Sequence, residues 1–122
     1  MLGQTDTLTN LKSVNSSLLM YAHDYDETFP VAPNKETVQR LTRPYVNNIT
    51  TYSDPNTGIP FEWNSYLTGK TLASIENPST TVSFYVAIPT VPDSRPVATL
   101  GRNPKLVTDV EWMLLKASSH IP

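Results

Sequence analysis

The chain has 122 residues, and nine basic and eleven acidic side chains give it a net charge of −2. This length suits one small domain, here 1–122, and the nearly balanced charge offers no basic stripe for nucleic acid. Cysteine is absent, which excludes disulfides and cysteine-ligated metal centres, and eleven prolines with only 16% charged residues are typical of a turn-rich surface with short strands.

A long amphipathic helix is predicted over about residues 5–25. Its apolar residues recur at alternating spacings of three and four, which places them along one side of an α-helix. Thr5 or Asp6 is expected to cap its start, and an acidic run before a proline ends it near Asp24 or Tyr25. The apolar stripe that would form the core and assembly side of this helix consists of Leu11, Val14, Leu18, Tyr21 and Tyr25.

The other side of this helix is polar. Asn10, Ser13, Ser17 and Asp24 lie away from the stripe, so we expect them to remain in water. A plain amphipathic helix that only covers a sheet has the same pattern. The stripe alone therefore does not distinguish such a helix from one that also takes part in assembly.

A short second helix and several strands are predicted downstream. The helix covers 35–43, with Asn34 as its N-cap and Pro44 as its stop, and Val38 and Leu41 face inward. The predicted strand 80–88 is the richest in β-branched and aromatic residues, and we expect it to lie centrally against the first helix. The predicted strands are 61–68, 80–88, 97–100 and 105–115, with a turn at 101–104 between the last two.

The segment 105–115 allows two structures. It can form two strands around Thr108 and Asp109, or Thr108 and Glu111 can form a capping box that begins a helix. We favour the strands. The predicted fold is therefore α+β, with a long N-terminal helix packed on a small antiparallel sheet drawn from 61–115.

Two segments resemble a known family. Residues 10–30 fit the reading N-L-K-x-x-x-x-x-L-x-M-Y-A-x-D-Y-D-E-x-F-P, and residues 41–48 read L-T-R-P-Y-V-N-N. Both resemble type IV pilin-like proteins, in particular the major pseudopilins of type II secretion, in which the second segment commonly reads L-x-P-Y-V-x-N. The Cys-Pro and the C-terminal Phe-x-Asp-Gly-His-Val hairpin of that family have only distant counterparts here, in 53–55 and 107–112.

The resemblance implies a structural, non-enzymatic function. A pilin or pseudopilin subunit stacks its N-terminal helix against those of other subunits and so builds a filament. An apolar segment, expected before Thr5 and missing from this sequence, would anchor the subunit in the inner membrane. The protein would then act in the cell envelope, on the periplasmic or extracellular side. Without that segment we expect the isolated domain to be monomeric.

Two oxygen-rich clusters are weak candidates for a cation site. Asp24 and Asp26 belong to the acidic exit of the first helix, and Asp54 and Asn56 belong to a loop of turn-forming residues. Neither cluster presents the complete ligand set of a calcium loop, although the resemblance implies that Ca²⁺ is the cation to test. We therefore predict no metal or other cofactor.

Two other classes of function compete with the filament subunit. One is an extracellular module that binds carbohydrate or protein through exposed aromatic residues, although aromatic residues in strands are more often core. The other is a small hydrolase or metal-dependent enzyme. His23 and His120 are the only histidines, and neither a serine elbow nor a glycine-rich phosphate loop occurs, so no catalytic residue is predicted. The aromatic candidates are Trp63, Tyr66, Phe84, Tyr85 and Trp112.

Overall fold

The computed structural model describes residues 3–122. Within them, a long N-terminal helix packs on a four-stranded antiparallel sheet, which confirms the predicted α+β class. The helices are α1 (Gln4–Asp24), α2 (Lys35–Thr42) and α3 (Asp109–Ser118). The strands are β1 (Glu62–Trp63), β2 (Val82–Tyr85), β3 (Arg95–Thr99) and β4 (Arg102–Val107).

The sheet follows the chain in order, β1-β2-β3-β4, and every neighbouring pair is antiparallel. Strand β2 pairs with β1 on one side and β3 on the other, so the strand predicted over 80–88 does lie inside the sheet, although it is shorter. The registers shift between Val82 and Phe84 and again between Val97 and Thr99. Such irregularities increase the local twist of the strands.

The main core lies between α1 and one face of the sheet. The side chains of Leu11, Val14 and Leu18 are fully buried there, and they belong to the same cluster as Phe84 of β2 and Ala98 of β3. The spacing of three and four in the sequence therefore identified this part of the buried side correctly. α2 and the 3₁₀ turns around residues 43–52 close the cluster at its edge.

Ser17 and Tyr25 differ from the predicted pattern, and Tyr21 of the predicted stripe is only half-buried. Ser17 is fully buried, because the 3₁₀ turn Ile49–Tyr52 covers its side of the helix, and its hydroxyl donates to the carbonyl oxygen of Val14 at 2.6 Å. Tyr25 is 55% exposed, because α1 ends at Asp24 and the backbone of Tyr25 has left the helical conformation. The buried side is thus wider in the middle of α1, and ends earlier, than predicted.

The C-terminal segment corrects the favoured prediction. Strand β4 ends at Val107, and the segment after it is helix α3, so two strands over 105–115 are wrong beyond Val107. The capping box has formed: the Thr108 hydroxyl accepts from the Glu111 N–H at 3.2 Å, and the Glu111 carboxylate accepts from the Thr108 N–H at 3.1 Å. Helix α3 then places Trp112 against the sheet.

α3 covers the face of the sheet opposite α1. Trp112 is buried with Val82, Val97 and Val107, and Leu115 packs against this second cluster. The Val82 N–H donates to the Ser119 hydroxyl at 2.8 Å, which fixes the end of α3 to the start of β2. The sheet is therefore an inner layer with a helix on each face.

The observed boundaries of other elements can also be compared with the predicted ones. The strand predicted over 61–68 ends at Trp63, because the Asn64 side chain accepts from the Tyr66 N–H at 3.1 Å and begins a 3₁₀ turn. The last two strands begin at Arg95 and Arg102, so the turn between them is shorter than predicted. α2 begins as predicted, with the Asn34 side chain accepting from the Thr37 N–H at 2.9 Å.

Candidate assembly surface

The outer side of α1 is a candidate surface for contacts with other molecules. No described element covers it, although α1 is the longest helix of residues 3–122. The exposed side chains on this side form what we call the outer ridge. It consists of Thr9, Lys12, Ser13, Ser16, Met20 and His23, which recur at helical spacings. Three of its six side chains bear a hydroxyl group, and Met20 is its one apolar side chain.

Shallow grooves flank the outer ridge. One has a volume of about 360 Å³ and separates the ridge from the segment 45–51, with Met20 and Val46 in its lining. The other, about 460 Å³, separates the ridge from the turn at 100–104, with Lys12 and Leu19 in its lining. A ridge between two grooves is the kind of surface against which another helix packs.

An apolar hollow lies at the C-terminal end of the ridge. Its volume is about 320 Å³, and it is lined by Leu19, Met20, His23, Asp24 and Tyr45. Leu19 is half-buried and Met20 is 49% exposed, so their side chains remain partly open to solvent. The hollow has the size and polarity to receive an apolar side chain of a neighbouring molecule.

A buried polar contact holds the middle of α1 on the sheet. Asn15 is only 6% exposed, and its Nδ2 donates to the carbonyl oxygen of Thr99 at 3.1 Å. Its Oδ1 accepts from the hydroxyl of Ser83 at 2.5 Å. Buried polar groups need such partners, so this contact fixes the position of α1 along β2 and β3. Nothing in the sequence singles out Asn15 except its place as a polar residue beside the apolar stripe.

The Asp54 loop holds the N-terminal part of α1. Asp54 is 3% exposed, and its Oδ1 accepts from the Thr7 hydroxyl at 3.1 Å and from the Asn56 N–H at 2.9 Å. The Asn56 Nδ2 donates to the Thr7 hydroxyl at 3.2 Å. These two candidate cation ligands therefore bind α1 and their own loop.

The other two candidate ligands lie at the end of α1. Asp24 Oδ2 accepts from the Tyr45 hydroxyl at 2.5 Å, and this hydrogen bond to a carboxylate raises the pKa of Tyr45 to about 12. Asp26 is exposed and adopts a left-handed conformation with φ of 56°. In the described part of the chain, no three His, Cys, Asp or Glu side chains are grouped so that they could hold a metal ion.

The aromatic residues divide between the two faces of the sheet and do not form a single binding face. Trp63 and Phe84 pack together in the α1 core at 5.3 Å between ring centroids, and Tyr85 and Trp112 pack together under α3 at 4.8 Å. Tyr66 is 42% exposed, but the His120 ring stacks on it at 4.2 Å and the Lys70 Nζ lies 4.2 Å from its centroid. The core interpretation of these residues is the correct one for Trp63, Phe84 and Trp112.

None of the helices within residues 3–122 combines the length and the apolar character needed to cross a bilayer. No protein-family model, curated protein or solved structure matches the chain.

Proposed function

We propose that this domain is the globular part of a structural filament subunit, of the type IV pilus or type II secretion pseudopilus kind. The observation that carries the proposal is the division of α1 into two sides. One side holds the whole domain through Leu11, Val14 and Leu18, and the other is a continuous ridge left open to solvent. A spine helix that is bound on one side and free on the other suits lateral stacking with further helices.

Assembly would use contacts that do not close on themselves. When the ridge of one subunit packs into a groove beside the ridge of the next, the two surfaces differ, and repetition of that contact gives a helical filament. The subunit would have no catalytic role. Its partners would be other pilin or pseudopilin subunits, and it would act in the cell envelope on the periplasmic or extracellular side.

Anchoring requires a segment upstream of α1. An apolar stretch of about twenty residues, continuous with α1, would hold the subunit in the inner membrane before assembly. The first turn of α1 is compatible with such an extension because Thr5 and Asp6 are exposed. At present the Asp6 carboxylate accepts from the Gly3 N–H at 3.2 Å, and a continued helix would replace that hydrogen bond with regular backbone pairing.

The contacts of α1 suit a helix that transmits force. Thr7 is hydrogen-bonded to the Asp54 loop, and Asn15 is hydrogen-bonded to two strands, so the helix is held at two points besides its apolar packing. A force applied along α1 would therefore be transmitted to the sheet as a whole. The alternative of an aromatic binding module has less support, because three of its five candidate residues are buried.

A matched pair of substitutions tests the proposal in the full-length protein with its native upstream sequence. Ser16→Arg places a long charged side chain on the outer ridge, whereas Ser65→Arg makes the same change at an exposed site near β1. We expect Ser16→Arg to abolish filaments seen by electron microscopy and Ser65→Arg to retain them. Normal filaments from Ser16→Arg, or a full-length protein that stays soluble and unanchored, would contradict the proposal.

A further inference from the structure

Helix α3 is apolar on both of its sides. Its inner side buries Trp112 and packs Leu115 against the sheet. Its outer side leaves Val110 67%, Met113 70% and Leu114 68% exposed. A contiguous exposed apolar patch of this kind marks an interaction site.

The exposed residues of α3 form one stripe. Val110, Met113, Leu114 and the exposed Ala117 recur at spacings of three and four, so they lie on one side of the helix. We call this the α3 stripe. It lies on the far side of the sheet from α1, and a molecule bound to it would leave the outer ridge of α1 free.

Charged residues border the α3 stripe in a specific order. Asp109 and Lys116 are seven residues apart, which is nearly two helical turns, so both lie on the same flank of the stripe but at opposite ends of α3. Asp109 is exposed, and Lys116 is half-buried with its Nζ 5.9 Å from the Trp112 ring centroid. This flank is therefore acidic at the start of α3 and basic at its end.

The opposite flank carries one charge that already has partners. The Glu111 carboxylate accepts from the Thr108 N–H and lies 3.9 Å from the Lys105 Nζ. Ser118, on the same flank, donates to the Thr80 carbonyl oxygen at 2.9 Å. This flank thus presents one acid near the start of α3 and a neutral hydroxyl at its end.

We propose that the α3 stripe binds the α3 stripe of a second copy of this chain, antiparallel across a two-fold axis near Met113. In such a pair each flank meets the same flank of the other copy with its ends reversed. Asp109 then faces Lys116 of the second copy, and Lys116 faces Asp109 of the second copy. The two charge pairs and the opposed helix dipoles are all attractive.

Charge also selects against the parallel alternative. In a parallel pair related by a two-fold axis, opposite flanks meet at the same height along the helices. The Asp109 of each copy would then face the Glu111 of the other copy, and the acidic starts of the two helices would repel each other. The antiparallel pair has one acidic contact instead of two: the two Glu111 side chains approach each other across the axis, and each lies 3.9 Å from the Nζ of its own Lys105.

The contact is small, so the dimer is weak. A stable interface buries about 1,600 Å² in total, and one stripe on a ten-residue helix provides less than that. The pair belongs with transient associations, observable at high protein concentration. This inference does not rest on the proposed function. The expectation of a monomeric domain considered only the upstream apolar segment, and the α3 stripe is a second apolar surface.

Analytical ultracentrifugation of the soluble 122-residue chain tests the pairing, up to about 1 mM protein. We expect a reversible dimer that Met113→Lys abolishes and that Met20→Lys, the same change on α1, leaves intact. Both methionines are exposed, so both variants should keep the parental melting temperature. A wild-type chain that stays monomeric throughout, or a dimer lost only with Met20→Lys, would overturn the inference.

Charge reversal tests the orientation. Asp109→Lys alone and Lys116→Asp alone each place like charges across the two-fold axis, so each should weaken self-association about tenfold. In an equimolar mixture of the two variants, opposite charges face each other again, and we expect a heterodimer at least as tight as the wild-type dimer. A mixture that associates no better than the separate variants would exclude the antiparallel pair.

Discussion

Leu18 is fully buried in the core that α1 forms with the sheet. Leu18→Ala removes packed methyl groups and leaves a cavity, so we expect the free energy of unfolding to fall by about 2–5 kcal/mol. Leu114→Ala is the matched control, because this leucine of α3 is 68% exposed, and it should change that free energy by less than about 0.5 kcal/mol. Urea denaturation measures both values. Equal effects of the two substitutions would contradict the layer arrangement.

The hydrogen bond between Tyr45 and Asp24 predicts a pH effect at the end of α1. It raises the pKa of Tyr45 from 10.0 to about 12, so the protonated phenol is favoured in the folded state. The stabilising effect is therefore fully present below pH 10.0 and is lost as the pH rises toward about 12.

Ultraviolet titration of tyrosine ionisation tests that pKa. The difference between the wild-type curve and the Tyr45→Phe curve isolates the ionisation of Tyr45. Asp24→Asn should return this ionisation toward the ordinary tyrosine range, while Asp26→Asn should leave it unchanged, because Asp26 does not bind the phenol in the structure. An Asp24→Asn variant with no shift would show that the carboxylate is not the cause.

At the scale of elements, the capping box determines that the C-terminal segment is helical. Thr108→Ala removes the acceptor for the Glu111 N–H, and we expect it to lower the free energy of unfolding by about 0.5–2 kcal/mol. Thr108→Ser keeps the acceptor and should retain most of that stability. Circular dichroism during denaturation measures both. If alanine and serine behave alike, the cap does not hold α3.

Elements with local causes were predictable from the sequence. α1 and α2 follow from apolar spacing and from the Asn34 cap, both of which act within a few residues. The strand predicted over 61–68 failed beyond Trp63 because the Asn64 side chain begins a turn. The signal for α3 is present in Thr108 and Glu111, but nothing local indicates that the second face of the sheet needs Trp112, so the local pattern does not decide between a helix and strands.

Contacts that join distant parts of the chain were not predictable. Thr7 binds Asp54 47 residues away, and Asn15 binds Ser83 68 residues away. Their partners are known only once the fold brings them together. The apolar side of α1 was therefore identified from its spacing, whereas the outer ridge, its two grooves and the α3 stripe required the structure.

At the scale of the whole molecule, the sheet separates two surfaces. The outer ridge of α1 faces one way, and the α3 stripe faces the other. A filament built through α1 would leave α3 accessible, so weak pairing through α3 could join subunits of different filaments. Disruption of one surface should leave the other functional, and the Met20→Lys and Met113→Lys variants separate the two.

Thiol labelling tests most directly whether the outer ridge of α1 is the assembly surface. The chain has no cysteine, so Ser16→Cys and Ser65→Cys each introduce a single thiol, on the ridge and at the control site. In the isolated domain both thiols should react rapidly with maleimide, because both positions are exposed. In the assembled full-length protein, we predict that the Ser16→Cys thiol is protected and the Ser65→Cys thiol still reacts. Equal labelling of the two thiols in the full-length assembly would contradict the account.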